Sequence, residues 1–274
     1  MTVEFQRTTV PPSARVKSPT EIVNVIAWLR PSTSVNNRLV LVSGHYDSRA
    51  SDAIDMTSDA PGANDDGSGT ALVIELARIL SETEVERPIA FVAFAGEEQG
   101  LLGAQAFAEK AVAERWQIDA VFNNDIVGNS VGGDGTTETG YVRLFSEALS
   151  PLDTGATLRQ RIALGYENDG ASRSLARYIA DIVPAYSSRF GVKLIYRLDR
   201  FLRGGDHRPF HQRSIAAVRF SEVKENYVRQ HQNVRNENGK SFGDVPEAVD
   251  VEYLANVTRV NAVEIGRASC RERV

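Results

Sequence analysis

Pro61-Gly62-Ala63-Asn64-Asp65-Asp66-Gly67-Ser68-Gly69 is the stretch that decides the fold, because of the apolar runs on either side of it. Upstream, Leu39-Val40-Leu41-Val42 ends in Ser43-Gly44-His45-Tyr46-Asp47. Downstream, Ile89-Ala90-Phe91-Val92-Ala93-Phe94 ends in Ala95-Gly96-Glu97-Glu98, and Ala120-Val121-Phe122 ends in Asn123-Asn124-Asp125. Short apolar runs closed by turn residues read as buried strands. Residues 69–80 carry Leu72, Val73, Leu76 and Leu80 at helical spacing. Asp65-Asp66 therefore stands just ahead of a helix N-terminus, where carboxylates are favoured. Open α/β sheets gather ligands beyond their strand ends. A histidine and several acids converging there read as a hydrolytic metal site.

Working outward, residues 21–30 are apolar and β-branched, and Pro31-Ser32-Thr33-Ser34 closes them in a turn. Residues 1–17 lack periodicity and read as a lead-in, and residues 49–62 as a loop. A helix is expected over about 100–115, strands over 120–125 and 141–145, and a Gly-rich loop over 128–140. Later come a helix at 172–182, strands at 192–196 and 215–220, and an amphipathic helix at 251–263. Strands alternating with helices of this length predict an α/β fold with a largely parallel, helix-covered sheet. With no internal repeat and no linker, residues 1–263 read as a single domain.

The composition narrows the partners. The chain has 274 residues, 42% of them hydrophobic and 24% charged, as in an ordinary globular domain. A formal net charge of −5 argues against nucleic acid or an anionic membrane as the main partner. No apolar run is long enough to span a bilayer, and the first residues do not resemble a signal peptide. The one cysteine, Cys270, excludes a thiolate-rich zinc site. It lies in residues 264–274, which depart from the preceding helical pattern and resemble translated sequencing-adapter DNA. These residues are expected to be a non-native tail on a truncated chain.

Zinc accepts histidine nitrogen and carboxylate oxygen, and a catalytic site keeps one position open. Two ions about 3.5–4 Å apart need a carboxylate between them. His45, Asp65, Glu98, Asp125 and a further histidine would supply both ligand sets, and neighbouring Glu97 is left as general base. Taken singly, each cluster has a plainer explanation, such as a helix-start acid pair or a packed histidine. Several separate segments would have to mimic one site together.

The motifs Ser43-Gly44-His45-Tyr46-Asp47, Gly62 to Gly69, Ala95-Gly96-Glu97-Glu98-Gln99-Gly100 and Asn124-Asp125 resemble the zinc aminopeptidase family M28. That resemblance covers residues 15–263 and implies a mixed, mainly parallel central sheet flanked by helices on both faces. It implies two zinc ions, with His45 and Asp125 on one, Asp65 bridging, and Glu98 with a late histidine on the other. His231, in Tyr227-Val228-Arg229-Gln230-His231, matches the family's last ligand segment better than His207 in Asp206-His207-Arg208-Pro209-Phe210. An acid usually follows that histidine closely; here the first is Glu237. The resemblance places Asp47 as acceptor of a hydrogen bond from His45 and implies a cis peptide at Asp65–Asp66. Asp206, His207, Glu222 and Tyr227 are weaker candidates around the substrate, Tyr227 for an oxyanion. The activity implied is hydrolysis of N-terminal residues from peptide substrates, with Glu97 as base. The alternatives are a same-fold carboxypeptidase using Arg203 or Arg208, a single-zinc glutaminyl cyclase, and an inactive binding homologue. Relatives are commonly exported, so a periplasmic or secreted location is expected for the full-length protein.

Overall fold

A computed structural model describes residues 1–32 and 38–269. The apolar runs form strands because alternate side chains can be buried on opposite faces. In β3 (Arg38–His45), Val40 and Val42 join one core layer while Leu39 and Leu41 join the other. Each such side chain contributes about 1.5–3 kcal/mol on burial. β4 (Ile89–Phe94) and β5 (Gln117–Asn124) flank β3 in parallel, and β8 (Ala217–Glu222) pairs parallel with β5. β2 (Thr20–Leu29) adds antiparallel to β4, and β1 (Thr2–Val10) antiparallel to β2. On the other side β6 (Tyr141–Phe145) runs antiparallel to β8 and carries β7 (Gly191–Ile195) parallel to it. The resulting sheet has eight strands in the order β1-β2-β4-β3-β5-β8-β6-β7. It is the mixed, mainly parallel α/β sheet that the motifs imply.

Helices cover both faces. α1 (Gly67–Leu80), α5 (Ala171–Tyr186) and α7 (Val251–Ser269) pack on the Val40 face, while α2 (Leu102–Ala113) and α6 (Arg208–His211) pack on the Leu41 face. The chain leaves β3 through α1 to β4 on one side, then returns through α2, on the opposite face, to β5 on the other. The two connections part at the end of β3, and that parting opens the crevice. The N-terminus of α1 presses closely on the strand ends. A Cβ on Gly69 would lie 2.2 Å from the Asn124 carbonyl oxygen, and one on Gly44 would lie 2.7 Å from the Gly69 carbonyl carbon.

Several expectations need correction. Residues 2–10, read as a lead-in, form the edge strand β1. Its inward positions are polar, so no apolar alternation marks it: Glu4 accepts from the Trp28 indole at 3.0 Å and Gln6 accepts from Asn24 at 2.9 Å. α3 (Gly155–Ala163) and α4 (Tyr166–Asp169) bury no residue fully and left no stripe to read. The hairpin of β9 (Arg235–Glu237) and β10 (Lys240–Phe242) is equally polar and exposed. α7 runs past Val263 to Ser269 with Glu264 and Ile265 buried, so the helical pattern continues into the segment expected to break it. Cys270 and the residues after it lie outside those described. Among the described residues no helix is long and apolar enough to cross a membrane.

Candidate metal centre

Asp66 and Asp65 divide two tasks between them. Asp66 is fully buried and caps α1: its Oδ1 accepts from the N–H groups of Gly69 at 3.0 Å and Ile126 at 3.2 Å, and its Oδ2 from that of His45 at 3.0 Å. One carboxylate thus ties the helix start to the ends of β3 and β5. Asp65, joined to Asp66 by a cis peptide as the resemblance implies, keeps both its oxygens for the crevice. Its backbone N–H donates to Asp244 Oδ2 at 2.7 Å, and that of Asn64 to both Asp244 oxygens at 3.0 Å.

The structure brings together all five residues expected to bind metal. Asp65 Oδ1 lies 3.3 Å from His45 Nε2, which is 4.0 Å from Asp125 Oδ2. Asp65 Oδ2 lies 3.0 Å from His231 Nε2, which is 2.9 Å from Glu98 Oε1. Two candidate ligand sets therefore share Asp65: His45, Asp65 and Asp125, and Asp65, Glu98 and His231.

These groups suit zinc in chemistry as well as position. His45 Nδ1 donates to the Asp47 backbone carbonyl at 3.0 Å, so the neutral ring that a metal requires would keep its lone pair on Nε2. That buried Nε2 has no hydrogen-bond partner, and buried Glu98 Oε1 has the His231 ring beside it at 2.9 Å. Buried polar atoms are rarely left so without reason. The carboxyls of Glu97, Asp66 and Asp206 crowd in close by and are pushed up by burial, a crowding that divalent cations would relieve. The second set needs one adjustment. Arg203 Nη1 donates to His231 Nδ1 at 3.0 Å, so Nε2 carries the proton toward Asp65 and Glu98. Neutral His231 ligating through Nε2 would carry that proton on Nδ1, which requires Arg203 to leave.

Glu97 follows β4 on the crevice wall, with its backbone held by Asp47. The Asp47 carboxylate accepts from the N–H groups of Glu97 and Glu98, each at 3.1 Å. Burial pushes the Glu97 carboxyl well above the usual carboxylate range, opposed by His45 and reinforced by Asp125, Asp206 and Glu98. The crevice itself measures about 680 Å³ and is floored by Asp65, Glu97, Glu98 and Asp125.

A sequence model described as Peptidase family M28 matches residues 24–250. The chain belongs to peptidase family M28. A probable zinc metalloprotease of Leptosphaeria maculans is 42% identical to it over 261 residues, which are 95% of this chain and 60% of the relative. A probable zinc metalloprotease of Pyrenophora teres is 42% identical over 263 residues, 95% of this chain and 54% of that one. This M28 chain thus spans little more than half the length of the curated relatives it matches. The aminopeptidase of Aneurinibacillus sp. strain AM-1 superposes with a TM-score of 0.64 at 22% identity, over 93% of this chain and 51% of that one. A Porphyromonas gingivalis glutaminyl cyclase superposes at 0.60 with 18% identity, over 97% and 84%. At those identities the likeness is one of fold.

The residues around the M28 site are arranged differently from some expectations. His45 donates to the Asp47 carbonyl, not its carboxylate, which stands 3.7 Å away and holds the Glu97 and Glu98 backbone instead. Asp206 is fully buried and does not line the crevice, and burial pushes its carboxyl up to about 8. His207 is buried too, its Nε2 set 2.7 Å from the Leu198 carbonyl, so it braces the crevice wall from behind. Glu222 holds Asn64 at 2.8 Å and Asn129 at 3.2 Å in the interior and is not among the residues that line the crevice. Tyr227 is 57% exposed, stands beside Glu225 and is not among the residues that line the crevice. Glu237 pairs with Arg235 on the exposed hairpin; the supporting acid is Asp244. His211 is a packing residue, its Nε2 set 2.9 Å from the Leu149 carbonyl.

Sequence reasoning missed Arg219. It is fully buried on β8 and binds Asp125 Oδ1 at 2.7 Å through Nη2 and Asp199 Oδ2 at 2.6 Å through Nη1. Arg200 joins Asp199 at 3.3 Å and Glu225 at 2.9 Å. An ion-pair chain thus runs from a candidate metal ligand into the crevice wall. An arginine inside the apolar run Ala216-Ala217-Val218-Arg219-Phe220 was the signal available.

The neutral state of His207 has a measurable consequence. Burial lowers its pKa from 6.5 to about 4, whereas the unfolded chain takes the proton near 6.5. Between those values the unfolded state binds more protons, so this residue's contribution to stability is lost as pH falls from about 6.5 toward 4. The shift corresponds to about 3 kcal/mol. His207→Gln, which retains a donor for the Leu198 carbonyl, is expected to flatten that limb in urea unfolding curves. An unchanged slope would mean His207 titrates normally in the fold.

Proposed function

We propose that this domain is a zinc exopeptidase that works with two metal ions and releases residues from the N-termini of peptides. One observation carries the reading. The two oxygens of Asp65 face different histidines, His45 at 3.3 Å and His231 at 3.0 Å, so a single carboxylate belongs to both ligand sets. Support for the metal comes from the curated relatives named probable zinc metalloproteases, and for the N-terminal direction from the aminopeptidase of similar fold.

His45 and Asp125 would hold one ion, Glu98 and His231 the other, with Asp65 between them. Bound there, zinc supplies Lewis acidity, which acidifies water and polarises a peptide carbonyl. Glu97, on the crevice lining, would take the water's proton on its carboxylate and return it to the departing amine. Asp47 fixes the backbone of Glu97 and Glu98 together, keeping the base and the ligand in register. Asp125, gripped by Arg219, cannot swing away.

The test combines metal analysis with kinetics on aminoacyl amides. Two zinc ions per chain are expected in the wild type and in Glu97→Gln, with kcat lower in the variant by roughly 10²–10⁴-fold. A Glu97→Gln protein as active as wild type would remove Glu97 from the mechanism. One zinc per chain would favour a cyclase-like site, and none in a folded protein would end the metallopeptidase reading.

A further inference from the structure

With the metal ligands set aside, the crevice is lined by an excess of positive charge. Arg15, Arg49, Arg197, Arg200, Arg203 and Arg208 all face it, in a chain whose net charge is −5. The acids facing it are Asp65, Glu97, Glu98, Asp125 and Asp199. Two divalent cations would match the first four. Asp199 is already bound to Arg200 and to buried Arg219.

The other five arginines have no carboxylate partner among the described residues. Arg15 donates to the Glu98 carbonyl at 2.8 Å, and Arg49 to the carbonyls of Ala50 at 3.1 Å and Ser51 at 2.7 Å. Arg197 stacks 4.3 Å from the Phe201 ring, and Arg203 rests on His231. The Nε atoms of Arg197 and Arg208 are buried with no hydrogen-bond partner. Arg208 is also held in place. It opens α6, and its Nη1 lies over Gly204, where a Cβ would come within 2.7 Å of it. No acid on the crevice wall is left over to bind a cationic side chain.

We propose that the substrate carries a carboxylate of its own next to the scissile bond, and that Arg197, Arg203 and Arg208 receive it. The inference rests on the metallopeptidase reading and narrows its substrate. Guanidinium forks match a carboxylate in shape and charge, often through two parallel hydrogen bonds. The carboxylate has two sources: the side chain of an aspartate or glutamate, or the free C-terminus of a short peptide. If His231 ligates zinc through Nε2, Arg203 loses its acceptor on Nδ1 and is free to face the crevice.

The test uses the zinc-loaded chain with fluorogenic amides of Glu, Asp, Leu and Lys, and with dipeptides whose C-terminus is free or amidated. Substrates bearing the carboxylate are expected to exceed their neutral counterparts at least tenfold in kcat/KM. That ratio should fall at least tenfold in Arg208→Met and in Arg197→Met, mainly through KM, with zinc content and circular dichroism unchanged. Preference for Glu and Asp amides assigns the side chain; preference for free over amidated dipeptides assigns the C-terminus. Calorimetry with L-glutamate and L-leucine provides a reading independent of turnover, with glutamate expected to bind more tightly in wild type and not in Arg208→Met. Leu or Lys amides cleaved best, with both variants like wild type, would overturn the proposal and leave the metallopeptidase standing. If two-zinc protein cleaves nothing, the metallopeptidase reading falls, and glutamate binding no better than leucine overturns the arginine wall as well.

Discussion

Asp65→Asn is expected to leave the chain with at most one zinc ion and no measurable peptidase activity. The carboxylate presents one oxygen to each histidine, and an amide of the same shape has only one oxygen to offer. Partners one step removed from a metal already change affinity by about 10–100-fold. Loss of a ligand common to both ions should exceed that. The fold should survive, because Asp244 grips the backbone of residue 65 and Asp66 still caps α1. Zinc titration against a competing chelator, beside circular dichroism, measures both parts. Two ions bound with wild-type affinity would show that Asp65 does not bridge.

Arg219→Leu should carry the largest cost in stability, about 3–5 kcal/mol, by stranding Asp125 and Asp199 in the interior without their shared cation. Arg219→Lys should recover only part of it, since a single ammonium cannot reproduce the fork that serves both acids and the Gly204 carbonyl. Thermal unfolding of the metal-free protein measures the stability term. Zinc affinity measured separately should fall about 10–100-fold, as for loss of other outer supports. A leucine variant as stable as wild type would mean that the ion-pair chain contributes nothing net.

What could be read in advance follows physical lines. Strands β3, β4 and β5 announce themselves because both of their faces are buried, and the acids that close them stand where an α/β sheet has its crevice. β1 was illegible because its inward side chains are glutamate and glutamine, satisfied by hydrogen bonds to distant partners. His45, Asp65, Glu98 and Asp125 were legible as a group because local motifs surround them. His231 depended on family resemblance, for nothing near it in sequence marks a turn that holds φ at 53°. Asp244 was invisible, since its role exists only through contact with residues 179 and 180 positions earlier. Asp47 was placed correctly in space and given the wrong bond, because sequence cannot say whether a carbonyl or a carboxylate will meet a ring nitrogen.

The grip of Asp244 on Asp65 also bears on the order in which the protein is made. By Glu222 every strand of the large sheet has been synthesised, while His231 and Asp244 have not. A nascent chain of that length can dock its strands, yet it lacks one histidine and the support for the shared carboxylate. On the proposed reading, the shared carboxylate gains its second histidine and its support only after the whole sheet has been made.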